Sequence, residues 1–293
     1  MFMMKRFCFV ALLTGIALSA GADSNEGEDG IVTLKSGHAA IAIDTQKGGK
    51  VLSLKYDDKE VISQSRFPES FGSTFWTSPQ KEWNWPPVSE FDKQPYQVKE
   101  QSDKRLVIAS NTSQRLGMSV AKDFSLGKQD GSFVITYSIK NEGTEARSVA
   151  PWEITRVPNA DGLIFFEAVD SIWPAGLMTF KEANGASWYA TDDAQQNRKI
   201  NADGKGWLAF AGNGLLLVKA FDDLKAGEPA PGEAEIQVYV NRGKSFIELE
   251  SQGAYKLLQP GESLSWTVRW FLTPTTETQP SASLVKAVKK LIK

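Results

Sequence analysis

Glu248 and Glu250, two residues apart in SFIELESQ (Ser245–Gln252), are the side chains of this sequence best suited by type to move protons. The stretch has strand character. Ile247 and Leu249 then face a core, while Phe246, Glu248, Glu250 and Gln252 line the opposite face. Carboxylates at that spacing stand roughly 6–7 Å apart. Like charges so close are stable only when solvated or countered by a cation. A second stretch, SVAPWEITRVP (Ser148–Pro158), puts Trp152, Ile154 and Arg156 on one face and Glu153 and Thr155 on the other. A third, GSTFWTSPQKEWNWPPV (Gly72–Val88), gathers Trp76, Gln80, Trp83 and Trp85 in what reads as a proline-rich loop.

Carboxylates flanked by indoles suit carbohydrate. Sugar rings have apolar C–H faces that lie on aromatic planes, and their hydroxyls need carboxylate, amide or guanidinium partners at the edge. Paired carboxylates also serve glycosidic acid–base chemistry. Trp76, Trp83, Trp85 and Trp152 are therefore the candidate stacking surfaces, and Gln80 and Arg156 candidate hydroxyl contacts. Glu153, Glu248 and Glu250 are candidates for contact and for catalysis. Two plainer readings compete. The glutamate face suits the wet side of an antiparallel sheet, and the tryptophans suit a plug closing one end of a core.

Other chemistries are poorly supported. His38 is the only histidine, and on the strand HAAIAID it shares parity with Ala40, Ala42 and Asp44, away from the core-seeking Ile41 and Ile43. A lone histidine without an orienting partner is a weak catalyst. Cys8 is the only cysteine, so thiol nucleophiles and cysteine zinc sites are excluded from the chain beyond it. There is no phosphate-cradling glycine loop and no dinucleotide fingerprint. No cofactor and no metal are expected. A net charge of −2 gives no footing for nucleic acid or an anionic membrane.

The elements that must position these residues read as strands. IVTL, HAAIAID, KVLSLKY, RLVIAS, MSVAKDFSL, SFVITYSIKN, GLLLVKAF, AEIQVYVN, SFIELES and SLSWTVRWFL are rich in β-branched and aromatic residues, and many alternate with period two. Turn signals separate them, among them Lys47-Gly48-Gly49 and Asn241-Arg242-Gly243. Gly185–Gly206 reads as an excursion between strands. Helical periodicity is confined to LVKAVKKLIK near the C-terminus, with Ser281 or Ser283 as cap. Residues 31–293 are thus expected to form one all-β domain, two antiparallel sheets packed face to face, with a short helix at 281–293. Residues 1–22 have the basic start, apolar run and Ala20-Gly21-Ala22 ending of a signal peptide. Residues 23–30 read as a flexible lead-in. Cleavage would remove two basic and no acidic residues, taking the charge from −2 to −4, and would leave no segment able to span a bilayer. A disulfide-free exported chain reads as bacterial, periplasmic or secreted.

Several of these stretches together resemble a family. They are the Gly-Gly turn before KVLSLKYDDKEVI, the Gly72–Val88 stretch, APWEITRVP, and FIELESQGAYKLLQPGESLSWTVRWFL. They are similar to exported bacterial domains of unknown function of the DUF4380 type, grouped with the galactose-mutarotase-like superfamily, over roughly Ile31–Thr273. The resemblance implies a β-supersandwich with a sugar cleft on a concave sheet face. It implies a saccharide ligand but not mutarotase activity, since aldose epimerases use a histidine pair that this chain lacks. The function expected is an exported carbohydrate-binding or carbohydrate-processing protein. The alternative is a non-enzymatic periplasmic structural or protein-interaction module. Oligomeric state is open.

Overall fold

A computed structural model describes residues 26–27, 30–66, 70–128 and 130–293. Residues 1–22, read from the sequence as a signal peptide, lie outside the described residues. Two antiparallel sheets make up the molecule, as the strand-after-strand pattern dictates. The first runs through Ile31–Ser36, Ala39–Asp44, Lys50–Tyr56, Ser73–Ser78, Arg147–Val157, Ile247–Gln252, Ile236–Val240 and Arg198–Ala202 in that spatial order, with Glu26–Gly27 pairing at its outer edge. The second has ten strands, with Phe133–Asn141 and Ser263–Pro274 at its middle.

The sheets bury their facing sides against each other. Ile41, Ile43, Leu54, Phe75 and Leu249 of the first and Ile108, Phe124, Ile135, Val268 and Trp270 of the second belong to one buried cluster. Phe75 stacks on Tyr137 across the interface with ring centroids 4.3 Å apart. At roughly 25 cal/mol per Å² of apolar surface, this interface dominates the stability of the fold. Residues at Phe75, Glu153 and Leu249 parity therefore point between the sheets, and their strand neighbours point out of the sandwich.

Two expectations need correction. Gly72–Val88 is not a loop throughout: Ser73–Ser78 is a central strand, buried at every residue and paired with Arg147–Val157. A strand covered on both faces shows no polar–apolar alternation, and the prolines that follow mask its β-branched and aromatic content. Gly185–Gly206 likewise contains two strands, Ala186–Ala190 and Arg198–Ala202. Each is only five residues long and lies beside the polar run from Thr191 to Asn197, too short for period two to stand out.

The C-terminal helix spans Ala282–Leu291. Ser281 caps it by accepting from the Leu284 N–H, and Leu284, Val285 and Val288 are buried against the domain. Among the described residues no helix is long and apolar enough to cross a membrane.

Candidate functional site

Outward-facing side chains of adjacent strands form rows across the first sheet. In one row Lys199, Tyr239, Glu248 and Arg156 are successive cross-strand partners. In the next lie Asn201, Gln237, Glu250, Ile154 and Thr74, and beyond it Gln252, Trp152 and Trp76. The segment after Ser78 folds back over the last row. Its Gln80–Glu82 turn is pinned by the Gln80 N–H donating to Glu233 at 3.0 Å.

Between this cover and the sheet lies a cavity of about 690 Å³. Six sequence candidates line it: Trp76, Gln80, Trp85, Trp152, Glu248 and Glu250. The volume falls within the roughly 300–1,000 Å³ usual for small-molecule sites.

The tryptophans divide by role. Trp76 is the hub, edge-on to Trp83, Trp85 and Trp152 at centroid separations of 5.6, 6.1 and 5.4 Å. Its indole N–H donates to Asp92 at 2.9 Å, and the same carboxylate oxygen accepts from Thr74. Lys50 pairs with the other oxygen at 3.1 Å. Burial acts to raise the Asp92 pKa, but the Lys50 charge and these hydrogen bonds outweigh it and leave the group below its ordinary value. Gly48 makes this anchor possible. At φ +68° it passes the Asp92 carbonyl so closely that a Cβ would lie 2.3 Å from the oxygen. Trp85 is 62% exposed and presents its ring at the cavity.

Three candidates fall outside the lining. Trp83 is buried, donates its N–H to the Thr77 carbonyl at 2.7 Å, and packs behind Trp76 and Trp152. It anchors the cover and offers no free face. Arg156 is also buried: its guanidinium grips Glu248 at 2.6 Å and lies near the rings of Trp76 and Phe246. It holds a cavity carboxylate in place and does not reach the cavity itself. Glu153 points between the sheets, where it pairs with Lys219 at 2.8 Å and accepts from Tyr137 at 2.5 Å and Trp270 at 3.1 Å. Strand parity alone put Glu153 opposite Trp152, and the inward side is the side opposite the cavity.

The two cavity glutamates differ in environment. Glu248 has its countercharge in Arg156. Glu250 is fully buried, with Oε2 accepting from Trp152 Nε1 and from Lys199 Nζ, each at 2.9 Å. Its Oε1 is buried and has no hydrogen-bond partner among the described residues. Burial pushes Glu250 up to about 7, the Lys199 charge opposes that rise, and Glu248 adds to it. Glu250 therefore exchanges its proton near neutrality, while its unpartnered Oε1 is buried from water. Lys199 in turn lies 4.7 Å from the Trp152 ring centroid.

Sequence reasoning missed Lys199, Tyr239, Asn197 and Arg242, which also line the cavity. Lys199 and Asn197 sit in Gly185–Gly206, which reads from the sequence as an excursion. Arg242 sits in the Asn241-Arg242-Gly243 turn signal, which marks a hairpin tip but not what the tip faces. His38 is exposed and lies outside the cavity lining, stacked on Tyr56 and bonded to Asp57 at 2.8 Å.

No family model and no curated protein matches the sequence. Solved structures do. A candidate aldose 1-epimerase from Escherichia coli K12 is 14% identical, with TM-score 0.60 over 83% of this chain and 99% of that one. A galactose mutarotase-like protein from Lactobacillus casei is 10% identical, with TM-score 0.60 over 83% and 100%. Another from Clostridium acetobutylicum is 10% identical, with TM-score 0.56 over 84% and 95%. At these identities the likeness concerns architecture, and the chain has the galactose-mutarotase-like fold, a large antiparallel β-supersandwich with a short C-terminal helix.

Proposed function

We propose that this is an exported protein of the DUF4380 type that binds a saccharide in the cavity of the first sheet, with Glu250 as its proton-exchanging group. One observation carries the reading: a carboxyl with a bare oxygen is held by an indole N–H and an ammonium inside a cavity bordered by the exposed ring of Trp85. A sugar ring offers an apolar face to Trp85 and hydroxyls to the carboxyl groups of the lining, Glu250 and Glu248. The names of the structural neighbours point the same way. The only histidine lies outside the cavity lining, so epimerase chemistry by a histidine pair has no basis here. Proton transfer at this site falls to Glu250, with Lys199 and Glu248 setting its charge.

Intrinsic tryptophan fluorescence, titrated with a panel of mono- and oligosaccharides, tests the reading. A saturable spectral shift is expected for at least one saccharide. Any sugar that is turned over should be bound but no longer turned over by E250Q. A flat response across the panel would favour the non-enzymatic interaction module instead.

A further inference from the structure

The cations around the cavity are not all paired. Glu248 is matched by Arg156 and Glu250 by Lys199. Glu233, at the Gln80 end, accepts from the Gln80 N–H and the Gln237 and Gln252 amides, neutral donors that fix the carboxylate without cancelling its charge. That leaves Arg242, which lines the cavity with no carboxylate partner among the described residues. Its backbone is nevertheless fixed. The Arg242 N–H donates to Asn197 Oδ1 at 2.9 Å, the Gly243 N–H donates to the Ala194 carbonyl at 2.9 Å, and Asn159 donates to the Gly243 carbonyl at 2.7 Å. A rooted backbone with an unmatched guanidinium is how a protein presents a planar donor fork to an anion from outside.

We infer that the saccharide is an acidic one, carrying a carboxylate or a sulfate or phosphate ester that Arg242 pairs with at the mouth of the cavity. This rests on the saccharide reading and names its substrate class. Among the described residues, the groups in and behind the cavity wall number three cations, Arg156, Lys199 and Arg242, and three carboxylates, Glu233, Glu248 and Glu250, of which Arg242 alone among the cations has no ion-pair partner. Partial protonation of Glu250 near neutral pH tips that even count toward positive. A second consideration is size. About 690 Å³ is the share of roughly twenty water molecules, more than one pyranose ring fills, so a ring seated at Glu250 leaves room toward Arg242 for an acidic substituent or an acidic second ring.

Titration calorimetry on the full chain with three probes tests this: an oligogalacturonate, a sulfated galacto-oligosaccharide and a neutral galacto-oligosaccharide. At least one acidic probe should bind roughly tenfold tighter than the neutral one, the worth of one charge-assisted pair, with the advantage shrinking in salt. The carboxylate and sulfate arms distinguish the two sources of the anion. In R242Q the acidic probe should fall to about the neutral affinity. In K244Q, an exposed neighbour outside the lining, the preference should persist. Equal binding of acidic and neutral probes, or an undiminished preference in R242Q, would overturn the acidic-ligand inference and leave the saccharide reading standing. No binding of any probe by the folded protein would count against both.

Discussion

Glu250 is the residue whose chemistry is most unusual for its type. A buried carboxyl raised to about 7 from an ordinary 4.5 makes the folded state hold a proton that the unfolded chain has released. Below pH 4.5 both states are protonated and the group is neutral to stability. Between 4.5 and about 7 the unfolded chain binds fewer protons, so stability falls as pH rises, and the full penalty is present above 7. Glu235, also raised to about 7 by burial, adds a slope of the same sign. E250Q should therefore be stabilised relative to the parent at pH 8, with little difference at pH 4, and should show a shallower decline between them. Urea unfolding at several pH values measures this; an unchanged slope would mean that Glu250 ionises without cost. Glu153 sits in a different balance. Its Lys219, Tyr137 and Trp270 partners satisfy it between the sheets, which is why it belongs to the fold and not to the cavity. The parity of WEIT separates Glu153 from Trp152 in the sequence, but which side faces the second sheet is a tertiary fact that no single strand encodes.

At the scale of elements, the cover formed by residues after Ser78 divides its tryptophans into anchor and platform. Trp83 has its N–H bonded and its ring enclosed, whereas Trp85 is largely open. W83A should cost about 3–5 kcal/mol of folding stability. W85A should change stability by no more than about 0.5 kcal/mol while weakening saccharide affinity by about 1 kcal/mol, roughly fivefold. Thermal melts and binding titrations of the two variants separate the roles; a destabilised W85A with unaltered affinity would reverse the assignment. The face carried by Phe246, Glu248, Glu250 and Gln252 was legible because alternation on one strand is local. The partner that tames Glu250 was not. Lys199 is distant in the chain, on a five-residue strand, and comes within reach only through the register Lys199–Tyr239–Glu248. Ser73–Ser78 was hidden for the opposite reason, being buried on both faces and so lacking any alternation to read.

For the whole molecule, the paired sheets explain why a site can exist on an outward face. One side of the first sheet is spent on the core, and the Trp83-anchored cover encloses part of the other. The strand count and the absence of long helices made this architecture readable from the sequence. The cover was not readable, because its placement depends on Asp92, Gly48 and Glu233 holding Trp76 and Gln80 from separate parts of the chain. The partly covered cavity of this outward face is proposed as a saccharide site. A crystal structure of the protein soaked with an acidic oligosaccharide tests it most directly. A sugar ring is expected against Trp85, with a hydroxyl within hydrogen-bond distance of the Glu250 or Glu248 carboxyl and an anionic group on Arg242. Saccharide bound elsewhere, with the cavity unoccupied, would contradict it.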